Sequence, residues 1–366
     1  MKNKIIVITF LSLLMSPLVI NIVRPMKELS YSERRKLAQF PKFTTERVLN
    51  GKFMKEFEDY TLDQFPFRDE FRGLKAFFDL TILNKKDNND IYVINDNVFK
   101  MEYPLNTNSV YKVSEKMNKV YDLYLKDMNV FYAIIPDKNY FRREENTHLI
   151  MDYDKLEVLM REHVENMQYI DIMSVLELDD YYKTDPHWKQ ERLDKVVKAI
   201  GKEMNFEKDM EGIVYTEKEY SPFYGAYYGQ SALNIKPDRL TYRTTPTIEN
   251  ALVYNSENPE SNDQQLPVYD EERLGKMDSY DIFLSGATPL LTIENPSNLT
   301  GKELIIFRDS FGSSLTPLLL EEYSKITLVD LRYMSSDNIG DFIDFKDQDV
   351  LFLYSTLVIN NSNVLK

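Results

Sequence analysis

The chain has 366 residues, room for one large domain with extensions or for two modest ones. It sets 45 Lys and Arg against 59 Asp and Glu, a formal charge of −14 with no long basic run, which argues against a nucleic-acid partner because phosphate binding needs clustered cations. Cysteine is absent, so disulfides, thiolate metal sites and a cysteine nucleophile are excluded, while hydrophobic residues at 43% suffice for a packed core.

Ile5–Val23 is mostly apolar and follows Lys2 and Lys4. Its length matches a bilayer core of ~30 Å, and no A-x-A-like cleavage site follows it, which predicts an uncleaved membrane anchor over a removed signal peptide. Arg24, Lys27, Arg34, Arg35 and Lys36 make the far flank basic. Long domains translocate largely regardless of such charge, so the remainder is expected outside the cell, single-pass if the segment stays and secreted if it is cut. Residues 24–43 read as a polar tether. Residues 44–84 read as two helical segments, with Val48, Leu49, Phe53, Phe57 and Tyr60, then Phe71, Leu74, Phe77 and Phe78 at helical spacing. Ile91–Ile94 lies between Asp87-Asn88-Asn89-Asp90 and Asn95-Asp96-Asn97, a pattern that reads as a β-hairpin with polar turns; a calcium loop fails on spacing and on the missing Gly.

Ser109–Lys126 predicts a helix, Asn129–Ile135 a strand, Leu156–Met167 a helix and Tyr169–Ile172 a short strand. Lys189–Met204 predicts a further helix through Leu193, Val196, Val197, Ile200 and Met204. Residues 205–300 break this alternation, with a low-hydrophobicity loop at Asn255–Leu266, and read as an insertion carrying irregular β structure. Ile282–Leu284 and Leu290–Ile293 are its candidate strands. The alternation resumes with a strand at Glu303–Phe307, a helix from about 314 to 323, and strands at Ile326–Asp330 and Val350–Tyr354. Such alternation predicts an α/β domain over 44–366 with a mainly parallel sheet flanked by helices.

Two motifs carry chemistry. Asp185-Pro186-His187-Trp188 puts a carboxylate two residues before a histidine, and the chain holds only His148, His163 and His187. Pro186 pushes Asp185 into extended backbone, where residues i and i+2 share a face. The carboxylate is then placed to hold one imidazole nitrogen and leave the other for a nucleophile. The predicted helix after it places His187 at a positive dipole end, which favours the neutral base. Trp188, the single Trp, is positioned to wall off this site or stack on a sugar. Arg308-Asp309-Ser310-Phe311-Gly312 follows a buried strand and precedes a helix in which Pro317 fits only a first turn, so regular helix is expected from Ser313 or Ser314. Ser310 would be the nucleophile, His187 the base and Asp185 the orienter, with amides from Ser310 to Gly312 as oxyanion donors. Each motif alone also reads as a helix cap, and Asp185 with His187 also reads as a pair of metal ligands.

These residues resemble the DHHW family of bacterial cell-surface proteins, which is similar to the alginate O-acetyltransferases and, more distantly, to SGNH-type esterases. The likeness extends over most of the chain, through Ser32-Glu33-Arg34-Arg35-Lys36-Leu37-Ala38-Gln39-Phe40-Pro41, Phe57-Glu58-Asp59-Tyr60 with Asp63-Gln64-Phe65-Pro66-Phe67-Arg68-Asp69, and Ile135-Pro136-Asp137-Lys138. It departs at Pro186, where the name-giving tetrad has its first His, and at Arg308, where the esterases usually carry Gly. The Asp and His also precede the Ser here, as in the alginate acetyltransferases.

The resemblance implies an SGNH hydrolase-like, flavodoxin-like fold and a serine O-acetyltransferase that acts on a cell-surface polysaccharide without a cofactor or metal. Its acyl donor partner would be a multi-pass membrane acyltransferase. Around the triad, Lys138, Gly225, Arg308, Gly312, Arg332 and Tyr333 are the substrate or oxyanion candidates beside Trp188. An esterase with the same triad and a non-catalytic polysaccharide-binding protein are the alternatives.

Overall fold

The computed structural model describes residues 2–145, 147–255 and 265–366. By contact density the chain divides into two units, Met1–Asn89 with Tyr228–Ile235, and Asp90–Tyr227 with Lys236–Lys366.

In the larger unit, seven strands form the central sheet of the described residues. They are β1 Val130–Ile135, β2 Gln168–Ile170, β3 Leu252–Asn255, β4 Leu290–Glu294, β5 Glu303–Arg308, β6 Lys325–Val329 and β7 Asp349–Ser355. The order is β2-β1-β7-β5-β6-β4-β3; the first five are parallel, and β4 runs antiparallel to both neighbours. This is the mainly parallel α/β sheet expected. Side chains alternate across it, as the pleat requires. Leu304, Ile306, Leu351 and Leu353 face a core completed by Trp188, Phe311 and the helix Asp194–Glu203 through Val196, Val197 and Ile200. Ile305, Phe307, Val350 and Phe352 face the opposite core, covered by helices Thr107–Val120 and Tyr153–His163. With about 1.5–3 kcal/mol for each large apolar side chain fully buried, these two faces supply the main drive for folding.

Several boundaries differ from expectation. The helix expected over Lys189–Met204 is a 3-10 turn at Gln190–Arg192 followed by the helix Asp194–Glu203, so His187 does not stand at a helix N-terminus. The helix expected from Ser313 begins at Ser310 and ends at Leu315; Pro317 is absorbed by a separate 3-10 turn, Thr316–Leu319. Ile282–Leu284 is no strand: Ser279–Ile282 is a 3-10 turn, and Leu284 has a φ of +57°. From the stretch 205–300, β3 and β4 join the central sheet, and Thr216–Phe223 pairs with Asp238–Thr244 in a separate ribbon. Residues 256–264 of the expected Asn255–Leu266 loop lie outside the described residues.

In the smaller unit, Lys2–Val23 is one helix, long and apolar enough to cross a membrane. The expected pair of helices over 44–84 is three, Thr45–Leu49, Lys52–Asp63 and Arg68–Phe77, divided at Gly51 and Phe67, whose φ angles are +77° and +58°. The segment 24–43 is more than a tether: Leu29–Ser30 pairs with Arg35–Lys36, Arg35 makes a two-pronged bond to Asp63 at 2.5–2.7 Å, and Glu33 receives Arg68 at 2.5 Å.

Candidate active site

The parallel strands end side by side, which gathers the loops after them at the carboxyl edge of the sheet, where open α/β sheets bind ligands. At the end of β5, Asp309 caps the helix Ser310–Leu315. Its Oδ1 accepts from the Phe311 amide at 3.0 Å, and its Oδ2 accepts from the Ser355 amide at the end of β7 at 2.8 Å. One buried carboxylate thus sets the turn that presents Ser310 and ties it to the neighbouring strand.

His187 arrives from a small hairpin. Tyr181 bridges Trp188, and the Tyr182 amide donates to the His187 carbonyl at 3.1 Å, leaving Thr184–Pro186 at the tip. Asp185 Oδ1 accepts from the His187 amide at 3.1 Å and lies 2.6 Å from His187 Nδ1, so the two side chains share a face through a tight turn rather than an extended run. His187 Nε2 lies 2.8 Å from Ser310 Oγ, across 123 residues of sequence. Asp185 is fully buried, while the His187 side chain keeps 12% exposure. A buried carboxylate, an imidazole and a partly exposed hydroxyl in this chain of bonds have the geometry that an orienter, a base and a nucleophile would need.

Further residues complete the support, and sequence reasoning did not single them out. The Ala226 amide donates to Asp185 Oδ2 at 2.7 Å. Asp238 accepts from the Lys183 and Thr184 amides and from Thr184 Oγ1, at 2.6–2.9 Å, fixing the hairpin tip. The Tyr280 ring stacks on His187 with centroids 3.8 Å apart and planes 8° apart, while Phe311 approaches the imidazole at 4.7 Å. Tyr280 donates its hydroxyl to Ser314 Oγ at 2.8 Å, and burial holds its pKa well above the usual value, so it stays a neutral donor. Tyr280 lies in an irregular stretch whose pattern carries no signal for such a contact.

The remaining candidates occupy different places. Trp188 is fully buried and donates to Ser314 Oγ at 2.9 Å, so it backs the site and has no face for a sugar. Lys138 is buried too: its Nζ donates to the carbonyls of Val98, Tyr182 and Lys183 at 2.7–2.8 Å, and burial pushes its pKa down to about 7 against the pull of Asp238 and Asp185. Its three bonds brace the hairpin. The Gly225 amide donates to Thr184 Oγ1 at 3.0 Å, and the Gly312 amide to the Asp309 carbonyl at 3.1 Å, which takes both from the oxyanion donors. Ser310 opens the helix, and its own amide has no acceptor among the described residues.

Gly225 matters for space instead. A Cβ there would lie 2.3 Å from the Thr184 carbonyl oxygen and 2.4 Å from Asp185 Cβ, so Gly225→Ala is expected to push Ala226 away from Asp185. The check is the rate of serine-probe labelling at Ser310, which should fall by about tenfold or more as the orienting contact loosens.

Arg308 points into the protein. It is fully buried, its Nη1 lies 3.5 Å from both Asp330 Oδ2 and the Asp309 carbonyl oxygen, and burial lowers its pKa. Among the described residues its Nε and Nη2 have no acceptor. Arg332 binds Asp330 with Nε at 2.9 Å and Nη2 at 2.6 Å. Tyr333 is exposed beside it, 5.5 Å from the Arg332 guanidinium, and among the described residues no hydrogen bond or ion pair joins either residue to Ser310 or His187. Among the described residues no cluster of three or more His, Asp or Glu side chains is arranged to ligate a metal.

Fold and sheet order place the larger unit in the SGNH-like α/β class. The DHHW protein family model matches residues 81–329, and the chain belongs to that family. Among solved structures it is similar to a DHHW family protein from Eubacterium siraeum DSM 15702, with 20% identity over 76% of this chain and 94% of that one and a TM-score of 0.57. It is also similar to PatB1 of Bacillus cereus, with 18% identity over 76% and 98% and a TM-score of 0.60. A weaker likeness, with 12% identity over 74% and 92% and a TM-score of 0.46, links it to the O-acetyltransferase domain of Pseudomonas putida AlgJ. At these identities the likeness is one of fold. No curated protein matches the chain.

Proposed function

We propose that this chain is an exported, membrane-anchored O-acyltransferase that moves an acyl group, acetyl by family resemblance, onto a hydroxyl of a cell-surface polysaccharide. The observation that carries the reading is the line Asp185 Oδ1–His187 Nδ1–His187 Nε2–Ser310 Oγ, with its polar contacts at 2.6 and 2.8 Å. His187 Nε2 takes the Ser310 proton as Oγ attacks the acyl carbonyl. The tetrahedral oxyanion forms at the Ser310 amide, and its collapse expels the donor's leaving group with the proton from His187. The acyl-Ser310 ester is then attacked by a sugar hydroxyl that gives its proton to His187, and a second collapse returns Ser310 Oγ with that proton. Acetyl-coenzyme A is not expected outside the cell, so the donor is assigned to a multi-pass membrane acyltransferase partner. No cofactor enters these steps.

The test is intact-mass analysis of the full chain in detergent after exposure to an activated acetyl ester, beside Ser310→Ala, with cell-wall oligosaccharides added in a second step. An acetyl adduct on the native chain alone, discharged faster by sugar than by water with acetyl appearing on the sugar, is the expected result. Discharge to water at one rate with or without sugar would make the protein an esterase. A folded native chain that takes no adduct and no serine-reactive probe would make it a binding protein.

A further inference from the structure

The helix Arg68–Phe77 turns its apolar face outward. Phe67, Phe71, Leu74 and, in the π turn that continues the helix to Ile82, Phe78 and Ile82 recur at helical spacing, and all are 49–61% exposed. The polar residues of the same segment are the ones engaged within the unit: Arg68 reaches Glu33 at 2.5 Å, Arg72 reaches Glu33 at 3.6 Å, and Asp79 reaches Lys85 at 2.8 Å. An amphipathic helix packed in water does the reverse. Phe67 also holds a φ of +58°, a region that bulky residues avoid, at the point where its ring is turned outward.

Two observations say what covers this face. The unit that carries it also carries the apolar helix Lys2–Val23, and the end of that helix meets it: Asn21 and Arg24 line one cavity of about 690 Å³ together with Phe65, Phe67 and Arg68. The charge of this part of the chain is also reversed. Residues 1–89 hold 16 Lys and Arg against 11 Asp and Glu, a balance of +5, in a chain whose total is −14.

We propose that this face lies in the interfacial layer of an anionic phospholipid bilayer, the one that Lys2–Val23 enters. The proposal rests on the membrane-anchor part of the functional reading above. An apolar face rich in Phe and Leu, on a unit with excess cations, has the composition of helices that lie flat at the headgroup boundary, where apolar burial and attraction to anionic lipid add. A span and a flat face together fix the tilt and rotation of the helical unit, which a single span leaves free.

Because the chain has no cysteine, single-cysteine variants place one nitroxide label each without background. Full-length Phe67→Cys, Phe71→Cys, Asp69→Cys and Leu13→Cys would be labelled and reconstituted in vesicles of phosphatidylcholine and phosphatidylglycerol. At 67 and 71, collisions with oxygen should exceed those with a water-soluble nickel chelate severalfold; at 69, on the opposite side of the helix, the order should reverse. Position 13 reports the anchor by itself. Oxygen-rich collisions at 13 with nickel-rich collisions at 67 and 71 would overturn this proposal and leave the anchor reading intact. Nickel-rich collisions at 13 would overturn the anchor reading and the proposal with it. Labels at 67 and 71 shielded from both reagents would show a protein covering, a second copy or another part of the chain, and would also overturn the proposal.

Discussion

Replacing Asp185 with Asn is expected to lower kcat for acyl transfer by about 10^4-fold, the loss that an amide in the orienter's place brings to a Ser-His-Asp site. The carboxylate receives N–H groups from the His187 amide and His187 Nδ1 on Oδ1 and from the Ala226 amide on Oδ2. An amide side chain has one oxygen. Turned toward His187, it sets its NH2 against the Ala226 N–H in a fully buried place. Turned toward Ala226, it sets NH2 against Nδ1, which selects the tautomer with its proton on Nε2, and Nε2 then has no lone pair for the Ser310 proton. The measurement is kcat and KM for a chromogenic acetyl ester, with urea midpoints to show that the fold persists. Because Asp185 is behind His187, KM should change little. Activity within tenfold of the native chain would remove Asp185 from the mechanism.

The largest stability change is expected at Asp330. This fully buried carboxylate receives the Arg332 amide, Nε and Nη2 at 2.6–3.0 Å and stands 3.5 Å from Arg308 Nη1. Burial by itself lowers the Arg332 guanidinium; its hydrogen bonds to Asp330 more than offset that and hold it above its ordinary pKa. Asp330→Ala removes the carboxylate that both cations face and leaves only the weaker pull of Asp309, and among the described residues Arg308 already has two nitrogens without acceptors. Removing one partner of a buried pair costs about 3–5 kcal/mol, so the urea midpoint should fall sharply at an unchanged slope. The double variant Arg308→Met with Asp330→Ala should recover part of the loss, because the fully buried cation goes with its partner. A midpoint shift equivalent to less than about 1 kcal/mol in the single variant would mean that the cluster is not a structural ion network.

This cluster also explains why Arg308 misleads when read along the chain. It precedes Asp309-Ser310 where related esterases carry Gly, which suggests a residue facing substrate. In the fold it turns to Asp330, beyond the end of the neighbouring strand β6. Gly312 is tied to the same choice, since a Cβ there would lie 2.7 Å from Arg308 Cβ. Strand periodicity shows that a side chain points to one side of a sheet and says nothing of what covers that side.

What was legible in the sequence is what short-range geometry controls. Asp185 and His187 stand two residues apart, and a proline between them leaves few conformations, so their pairing could be read directly. Strand, turn and helix around Ser310 were readable from an apolar run followed by a helical pattern, although the helix begins three residues earlier than Pro317 suggested. The parallel sheet followed from the alternation of elements. Tertiary structure decided the rest. The bond between His187 and Ser310 closes 123 residues of chain, and Tyr280 reaches its place on the imidazole from a stretch with no periodic pattern. The burial of Trp188 and Lys138, the spent amide of Gly225 and the outward face of Arg68–Phe77 all depend on partners far away in sequence. A residue's own neighbours limit its backbone angles, but its burial and its hydrogen-bond partners are set by which distant surfaces the closed chain brings against it.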